Sequence, residues 1–158
     1  MRVGIGLPNT TPGTDRALLL EWARRADAGP FHSVAVLDRL VYESLEPFAT
    51  LAAAAAVTER VRLATMIAIG PLRSPALLAK QAATVDAIAG GGRLTLGLAV
   101  GARRDDYEAA GVPYRERGAR LSEQLAHLRG RCDELDLPLL VGGNSGAALL
   151  RMARYADG

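Results

Sequence analysis

Short apolar runs alternate with longer amphipathic stretches along this chain, at a spacing of about thirty residues, the size of one strand-and-helix unit. Residues 2–7 (RVGIGL) read as a strand that ends at Pro8-Asn9. A helix follows over residues 15–28, with Thr14 or Asp15 as its cap and Gly29-Pro30 as its stop. Ser33-Val34-Ala35-Val36-Leu37 is a second apolar run, broken abruptly by Asp38-Arg39. Ser44 is expected to cap a helix that carries Glu46 and Pro47 in its first turn and continues to Thr58. Residues 61–69 read as one strand, the third. The next helix has the clearest punctuation: Ser74 as cap, Pro75 at the first helical position and Gly90-Gly91-Gly92 as terminator. Leu78, Ala82, Val85 and Ala89 recur at helical spacing and predict its buried stripe. A fourth strand over 94–100 precedes helices around 105–110 and 118–128. A fifth strand, 137–141, runs into Gly142-Gly143-Asn144-Ser145-Gly146, and a last helix covers about 147–156.

Repeated strand–helix alternation predicts an α/β fold with a parallel sheet, either a barrel or a doubly wound sheet. No low-complexity linker divides the chain, so residues 1–158 read as a single domain. With 49% hydrophobic and only 4% aromatic residues, the core is built mostly from Ala, Leu and Val. The charge balance, 19 basic against 17 acidic residues, is too even to imply a nucleic-acid or membrane partner. One cysteine, Cys132, makes neither an internal disulfide nor a structural zinc site, and no metal-ligand cluster is apparent. No apolar run approaches the ~18 residues of a membrane span, and the start lacks the apolar core of a signal peptide. The expectation is a cytoplasmic protein.

Ligands of parallel α/β sheets bind at the carboxyl ends of the strands. That rule singles out Pro8-Asn9, Asp38-Arg39, Ile69-Gly70-Pro71, Gly101-Ala102-Arg103-Arg104 and residues 142–146. In the last segment two glycines allow close backbone approach, the helix behind them offers free N–H groups, and Asn144 and Ser145 add donors. Together these suit a phosphate, although a plain helix-capping turn would look the same. Gly4-Ile5-Gly6 lacks the third glycine of a dinucleotide fingerprint. Asp38 could accept from a ligand hydroxyl and Arg39 could hold an anionic group; a solvated loop pair is the alternative. Arg103-Arg104-Asp105-Asp106 is either a ligand clamp or the start of a surface helix. Arg115, Arg117, Arg120, Arg129 and Arg131, interleaved with Glu116 and Glu123, read as a solvated helix face. His32 and His127 follow no predicted strand.

Taken in order, several stretches resemble the luciferase-like monooxygenase superfamily, specifically its coenzyme F420-dependent oxidoreductase branch. They include GIGLPN at 4–9, Ser33 to Leu40 with its Asp38-Arg39, VRLAT at 61–65, PLRSPALLAKQ at 71–81 and GGRLTLG at 91–97. GVP at 111–113, ERGARL at 116–121, VGGNS at 141–145 and ARYADG at 153–158 complete the series. The resemblance implies a TIM barrel with a flavin or deazaflavin across the carboxyl ends of the strands. It implies that Asp38 contacts the cofactor ring. It also implies a bulge with a non-prolyl cis peptide near Met66-Ile67 in the third strand, and a phosphate held by Gly142, Gly143, Asn144, Ser145 and Gly146. Gly101, at the end of the fourth strand, joins the cofactor residues. Arg39 stands where the family often has histidine.

A TIM barrel typically takes about 250 residues and eight strands, whereas this chain supplies about five. The fold expected is therefore an incomplete TIM-barrel-like repeat, with a shortened junction near 128–136, and an open set of units would leave apolar edges for another copy to cover. The function implied is an oxidoreductase transferring hydride between F420 and a small organic substrate, with Asp38 and Arg39 as catalytic residues, in a homo-oligomer, a dimer first of all. An FMN-dependent monooxygenase is the nearest alternative. A degenerate, non-catalytic protein that binds a flavin or only itself is the other.

Overall fold

The computed structural model describes residues 2–158. Six parallel strands form one sheet: β1 (Gly4–Gly6), β2 (Ser33–Val36), β3 (Arg62–Thr65), β4 (Ala68–Ile69), β5 (Leu94–Ala99) and β6 (Leu139–Val141). Their order is β1-β2-β3-β5, with β4 and β6 also paired to β5. The strands therefore follow one another across the sheet in chain order. The sheet never reverses direction, as a doubly wound sheet would.

Six helices alternate with the strands: α1 (Arg16–Ala28), α2 (Pro47–Ala55), α3 (Pro75–Ile88), α4 (Arg104–Ala109), α5 (Arg117–Glu134) and α6 (Gly146–Tyr155). The strand residues that face them, Val34, Val36, Leu63, Leu94, Leu96 and Leu98, are essentially inaccessible to solvent and join the helices in one apolar cluster. Each fully buried Leu or Val of this kind contributes roughly 1.5–3 kcal/mol. The stripe expected on α3 is buried in full. The opposite face carries small residues, among them Gly4, Gly6, Ser33, Ala35, Ala64 and Thr95. They line an open trough of about 580 Å³.

The caps explain where several helices begin. Asp15 accepts from Leu18 N at 2.8 Å and starts α1. Ser74 and Ser145 do the same for α3 and α6. For α2 the cap is Glu46, which accepts from Ala49 N, with Pro47 at the first helical position. Ser44, the residue expected there, instead donates to the Arg39 carbonyl, and the helix ends at Ala55, short of Thr58. The helix expected to end at Leu128 continues through the 128–134 stretch without a break, because Leu121, Leu125, Leu128 and Cys132 keep a buried stripe.

The run expected as one strand over 61–69 is interrupted. β3 and β4 both pair with β5, yet the register shifts by one residue between Leu63↔Leu94 and Ala68↔Leu98, which marks a bulge. The Met66–Ile67 peptide inside it is cis. Thr65 closes the gap with its side chain: its hydroxyl donates to the Gly97 carbonyl and accepts from Gly97 N, both at 2.8 Å. A Cβ at Gly97 would collide with the Thr65 carbonyl oxygen, so only glycine fits that approach.

At the amino ends of the strands a second set of polar residues ties the units together. Asp27 accepts from the backbone N–H groups of Glu59, Arg60 and Val61 at 2.8–3.0 Å. The Arg60 guanidinium donates to the carbonyls of Ala26, Asp27, Gly29 and Phe31. Arg93 reaches the carbonyls of Thr58, Val61 and Ala89 and the Thr58 hydroxyl. Asp86 receives the N–H groups of Gly92, Arg93 and Leu94.

Candidate functional site

Five of the residues singled out in the sequence line one cavity of about 430 Å³ at the carboxyl ends of the strands: Asp38, Arg39, Met66, Ile67 and Gly101. Its apolar floor is made by Leu37, Met66, Ile67 and Ile69. Leu37 and Met66 also line the trough on the inner face of the sheet, so the two spaces adjoin. Gly101 has φ 68°, and a Cβ there would press on Ile69 at 2.8 Å.

Asp38 is 7% exposed and its carboxylate is fully engaged. Oδ2 accepts from Ile69 N at 2.8 Å and from Arg73 Nη1 at 2.6 Å; Oδ1 receives Arg73 Nη2 at 3.4 Å. It thereby joins the end of β2 to the end of β4. Arg73 also reaches Glu46 at 3.0 Å. Burial works against the Arg73 charge, but the hydrogen bond and charge of Asp38, with Glu46, outweigh it and leave the guanidinium above its ordinary value.

The neighbouring Arg39 pairs differently. Its Nε donates to Asp106 Oδ2 at 2.9 Å, and its Cζ sits 3.8 Å from the centroid of the Tyr42 ring. Arg103 lies on the same ring at 5.8 Å. Asp106, on α4, is 1% exposed and also accepts from Leu40 N and Val41 N through Oδ1. One buried carboxylate thus clasps the loop after β2 to the helix after β5. Within the Arg103–Asp106 run, Arg103 is exposed at the cavity and pairs with Asp105, while Asp106 is thus closed within the chain. Tyr107 packs behind it, donates to the Val100 carbonyl, and has its hydroxyl pushed up to about 12 by burial.

The glycine loop after β6 adjoins this cavity. Gly142 N donates to the Leu98 carbonyl, and a Cβ at Gly142 would lie 2.5 Å from Ile67 Cδ1. Gly143 has φ 138°, and its Cβ would meet Ala148 Cβ at 2.8 Å. Gly143, Asn144, Ser145 and Gly146 are exposed at the amino end of α6, with Ser145 accepting from Ala148 N. The structure so brings the predicted residues to one end of the sheet: five around the cavity, the other five in the loop beside it.

Arg73 and Tyr42 escaped the sequence reading, which named Asp106 only as part of the run after the fourth strand. Arg73 sits between Pro71 and Ser74-Pro75 in a loop, and only its position after a strand end could have marked it. Cys132, buried in the core, has its thiol pushed up to about 11 by burial. Of the arginines expected on a solvated face, Arg120 donates to the Pro71 carbonyl and Arg129 to the Tyr155 carbonyl and Asp157. Among the described residues no helix is long and apolar enough to cross a membrane.

The profile of the luciferase-like monooxygenase family matches residues 1–135. An uncharacterised protein of Mycobacterium tuberculosis is 31% identical over 189 aligned positions, covering 92% of this chain and 65% of that protein. The alignment is longer than this 158-residue chain, so the relative holds residues inside the match that have no counterpart here. Monooxygenase RslO1 from Streptomyces bottropensis is similar in structure with a TM-score of 0.73 and 31% identity, covering 82% of this chain and 42% of that one. The coenzyme F420 dependent tetrahydromethanopterin reductase from Methanopyrus kandleri shares the fold at a TM-score of 0.77 and 19% identity, covering 99% of this chain and 54% of that one. The chain thus spans 65% of the length of the curated relative and about half of the solved ones.

Proposed function

Since the chain belongs to the luciferase-like monooxygenase family, we propose that it is a cytoplasmic flavin- or deazaflavin-dependent oxidoreductase, with F420-dependent hydride transfer to or from a small organic substrate as its reaction. The observation that carries this reading is the contiguity of the strand-end cavity with the glycine loop through Ile67 and Gly142. A bound deazaflavin would supply the hydride chemistry itself, and the protein supplies position, electrostatics and exclusion of water. Gly142, Gly143, Asn144, Ser145 and Gly146 would hold a phosphate, where glycines let the backbone approach and the α6 amino end favours negative charge. Met66, Ile67 and Gly101 would bound the ring. Asp38, fixed by Arg73 and Ile69 N, sets the edge of the ring site, and Arg39 faces the substrate.

The trough on the inner face of the sheet leaves one side of this site open. A second copy of the chain covers it, which makes the working form a dimer. One observation favours a non-catalytic, flavin-binding alternative: both oxygens of Asp38 already accept hydrogen bonds from within the chain.

Titration of the purified chain with F420 and, separately, with FMN, followed by fluorescence, tests the reading, with the mass in solution measured alongside. Saturable binding of F420 by a dimer is expected. Binding of FMN alone would assign the FMN-dependent monooxygenase reaction, and binding of neither by a folded chain would end the oxidoreductase reading.

A further inference from the structure

The polar groups around the cavity mouth are unevenly used. Every carboxylate oxygen there already accepts a hydrogen bond. Asp38 takes Ile69 N and Arg73, Asp106 takes Leu40 N, Val41 N and Arg39 Nε, and Asp105 takes Asp106 N and Arg103. The donors are in surplus. Arg39 commits only Nε, and its Nη2 is buried with no hydrogen-bond partner. The nearest further acid, Asp105, stands 3.7 Å from Nη2, beyond hydrogen-bond reach. A buried cationic N–H group without an acceptor is costly, and a ligand oxygen that reached it on entering the cavity would satisfy it.

The guanidinium is also held in a fixed plane. The Tyr42 ring lies 3.8 Å from its Cζ on one side, while the Asp106 bond fixes Nε. A planar fork fixed in this way matches two oxygens of a carboxylate, which a freely rotating ammonium would not. The same cavity is lined by the apolar side chains of Leu37, Met66, Ile67 and Ile69. The cavity therefore combines the Arg39 fork with apolar side chains that suit a hydrocarbon body.

We propose that Arg39 is the substrate-anchoring residue of this cavity and that the substrate is a small organic carboxylate. The inference rests on the reading above that this cavity is the substrate side of a flavin site, and its test separates the two.

Benzoate and its neutral isostere benzamide are titrated by calorimetry into the 158-residue chain, alone and after addition of F420 or FMN. Benzoate is expected to bind about tenfold more tightly than benzamide or better, as a charge-assisted bond at a desolvated site requires. R39K should lose most of that preference, keeping the charge but not the fork. R39M strands the buried Asp106 carboxylate and can fail to fold, so R39M/D106N, which removes both charges, is the deciding variant; it should bind the two probes equally. R103M should keep the preference. Equal affinities in the parent chain, or a preference that survives R39M/D106N, would overturn the assignment. So would a preference that disappears in G143A instead, which would place the oxyanion in the glycine loop. A benzoate preference that depends on Arg39 in a chain binding neither F420 nor FMN supports the anchor and removes the oxidoreductase reading. Tight cofactor binding with no benzoate preference does the reverse.

Discussion

The two ends of the sheet use arginine in opposite ways. At the amino ends, Arg60 and Arg93 donate to main-chain carbonyls on neighbouring units, so that nearly all their hydrogen-bonding capacity is closed within the chain. At the carboxyl ends, Arg39 makes one hydrogen bond and leaves Nη2 buried and unpaired. The first arrangement is what stability asks of a guanidinium, whose five N–H groups otherwise need water. The second leaves a donor available for something the chain does not itself provide. The lesson is that residue type and strand-end position do not separate a structural arginine from a functional one; the completeness of its hydrogen bonding does. Arg73 shows the point within one end. It lies at the carboxyl ends too, yet Asp38 and Glu46 take up its guanidinium, so it belongs with the structural group.

The largest effect expected from this contrast is at Arg93. Methionine there keeps the aliphatic stem but leaves the carbonyls of Thr58, Val61 and Ala89 without their donor. Losing several partly buried partners at once should cost roughly 3–4 kcal/mol in urea unfolding. A loss under about 1 kcal/mol would mean that water replaces the guanidinium freely and that the amino-end network is ornamental.

Asp27 comes next. Burial works against its charge, but the N–H groups of Glu59, Val61 and Arg60 outweigh it and hold the carboxyl below its ordinary value of 3.8. Between the folded value and 3.8 the unfolded chain binds more protons, so stability rises with pH there. The contribution is therefore complete above 3.8 and lost as pH falls through the folded value. D27N should cost about 1–2 kcal/mol at roughly neutral pH, and its deficit against the parent should shrink on titration below 3.8. A deficit independent of pH would place the loss in geometry and not in charge.

How much of this could be read beforehand follows the same division. The helix α3 was legible from its punctuation, since Ser74, Pro75 and the three glycines act locally. The break between β3 and β4 was invisible to the apolar pattern, because Thr65-Met66-Ile67-Ala68 is as apolar as an unbroken strand and the bulge arises from the register against β5; the family resemblance alone implied it, together with the cis peptide at Met66–Ile67. Ser44 looked like a cap because cap chemistry is local; its hydroxyl was drawn away by the Arg39 carbonyl, a contact that only the folded loop creates. The strand-end rule marked Asp38, Arg39 and Gly101, the resemblance added Met66 and Ile67, and all five line one cavity. For Arg103-Arg104-Asp105-Asp106 the rule left a ligand clamp and a surface helix open, since nothing local tells that the fold buries Asp106 and not its neighbour. Arg60 and Arg93 went unmarked for the same reason. Charge in a sequence says nothing about which carbonyls will surround it.

The glycine loop allows a smaller test at the carboxyl end. G143A places a Cβ at φ 138° and 2.8 Å from Ala148, tilting the first turn of α6 away from the loop. Affinity for F420 or FMN should fall about tenfold, with unfolding little changed beyond the ~1 kcal/mol of the strained backbone. Unchanged affinity would leave the loop as a cap for α6 and nothing more.

The smallest expected effect is the most pointed. Arg39 and Asp106 form a partly buried ion pair, with side chains 17% and 1% exposed. Removing one partner leaves a charge in a poor medium, but removing both returns the desolvation cost of the pair. R39M/D106N should therefore unfold within about 1 kcal/mol of the parent, because the amide that replaces the Asp106 carboxylate keeps a carbonyl oxygen for Leu40 N and Val41 N. The orphaned Nη2 disappears along with the pair, which shifts the balance further toward neutrality. Chemical denaturation of the parent, the double variant and R93M side by side places the two ends of the sheet on one scale. If the double variant were as costly as R93M, Arg39 would be as structural as the arginines at the amino ends. The unpaired donor would then be a by-product of packing, and the contrast between the two ends would fail.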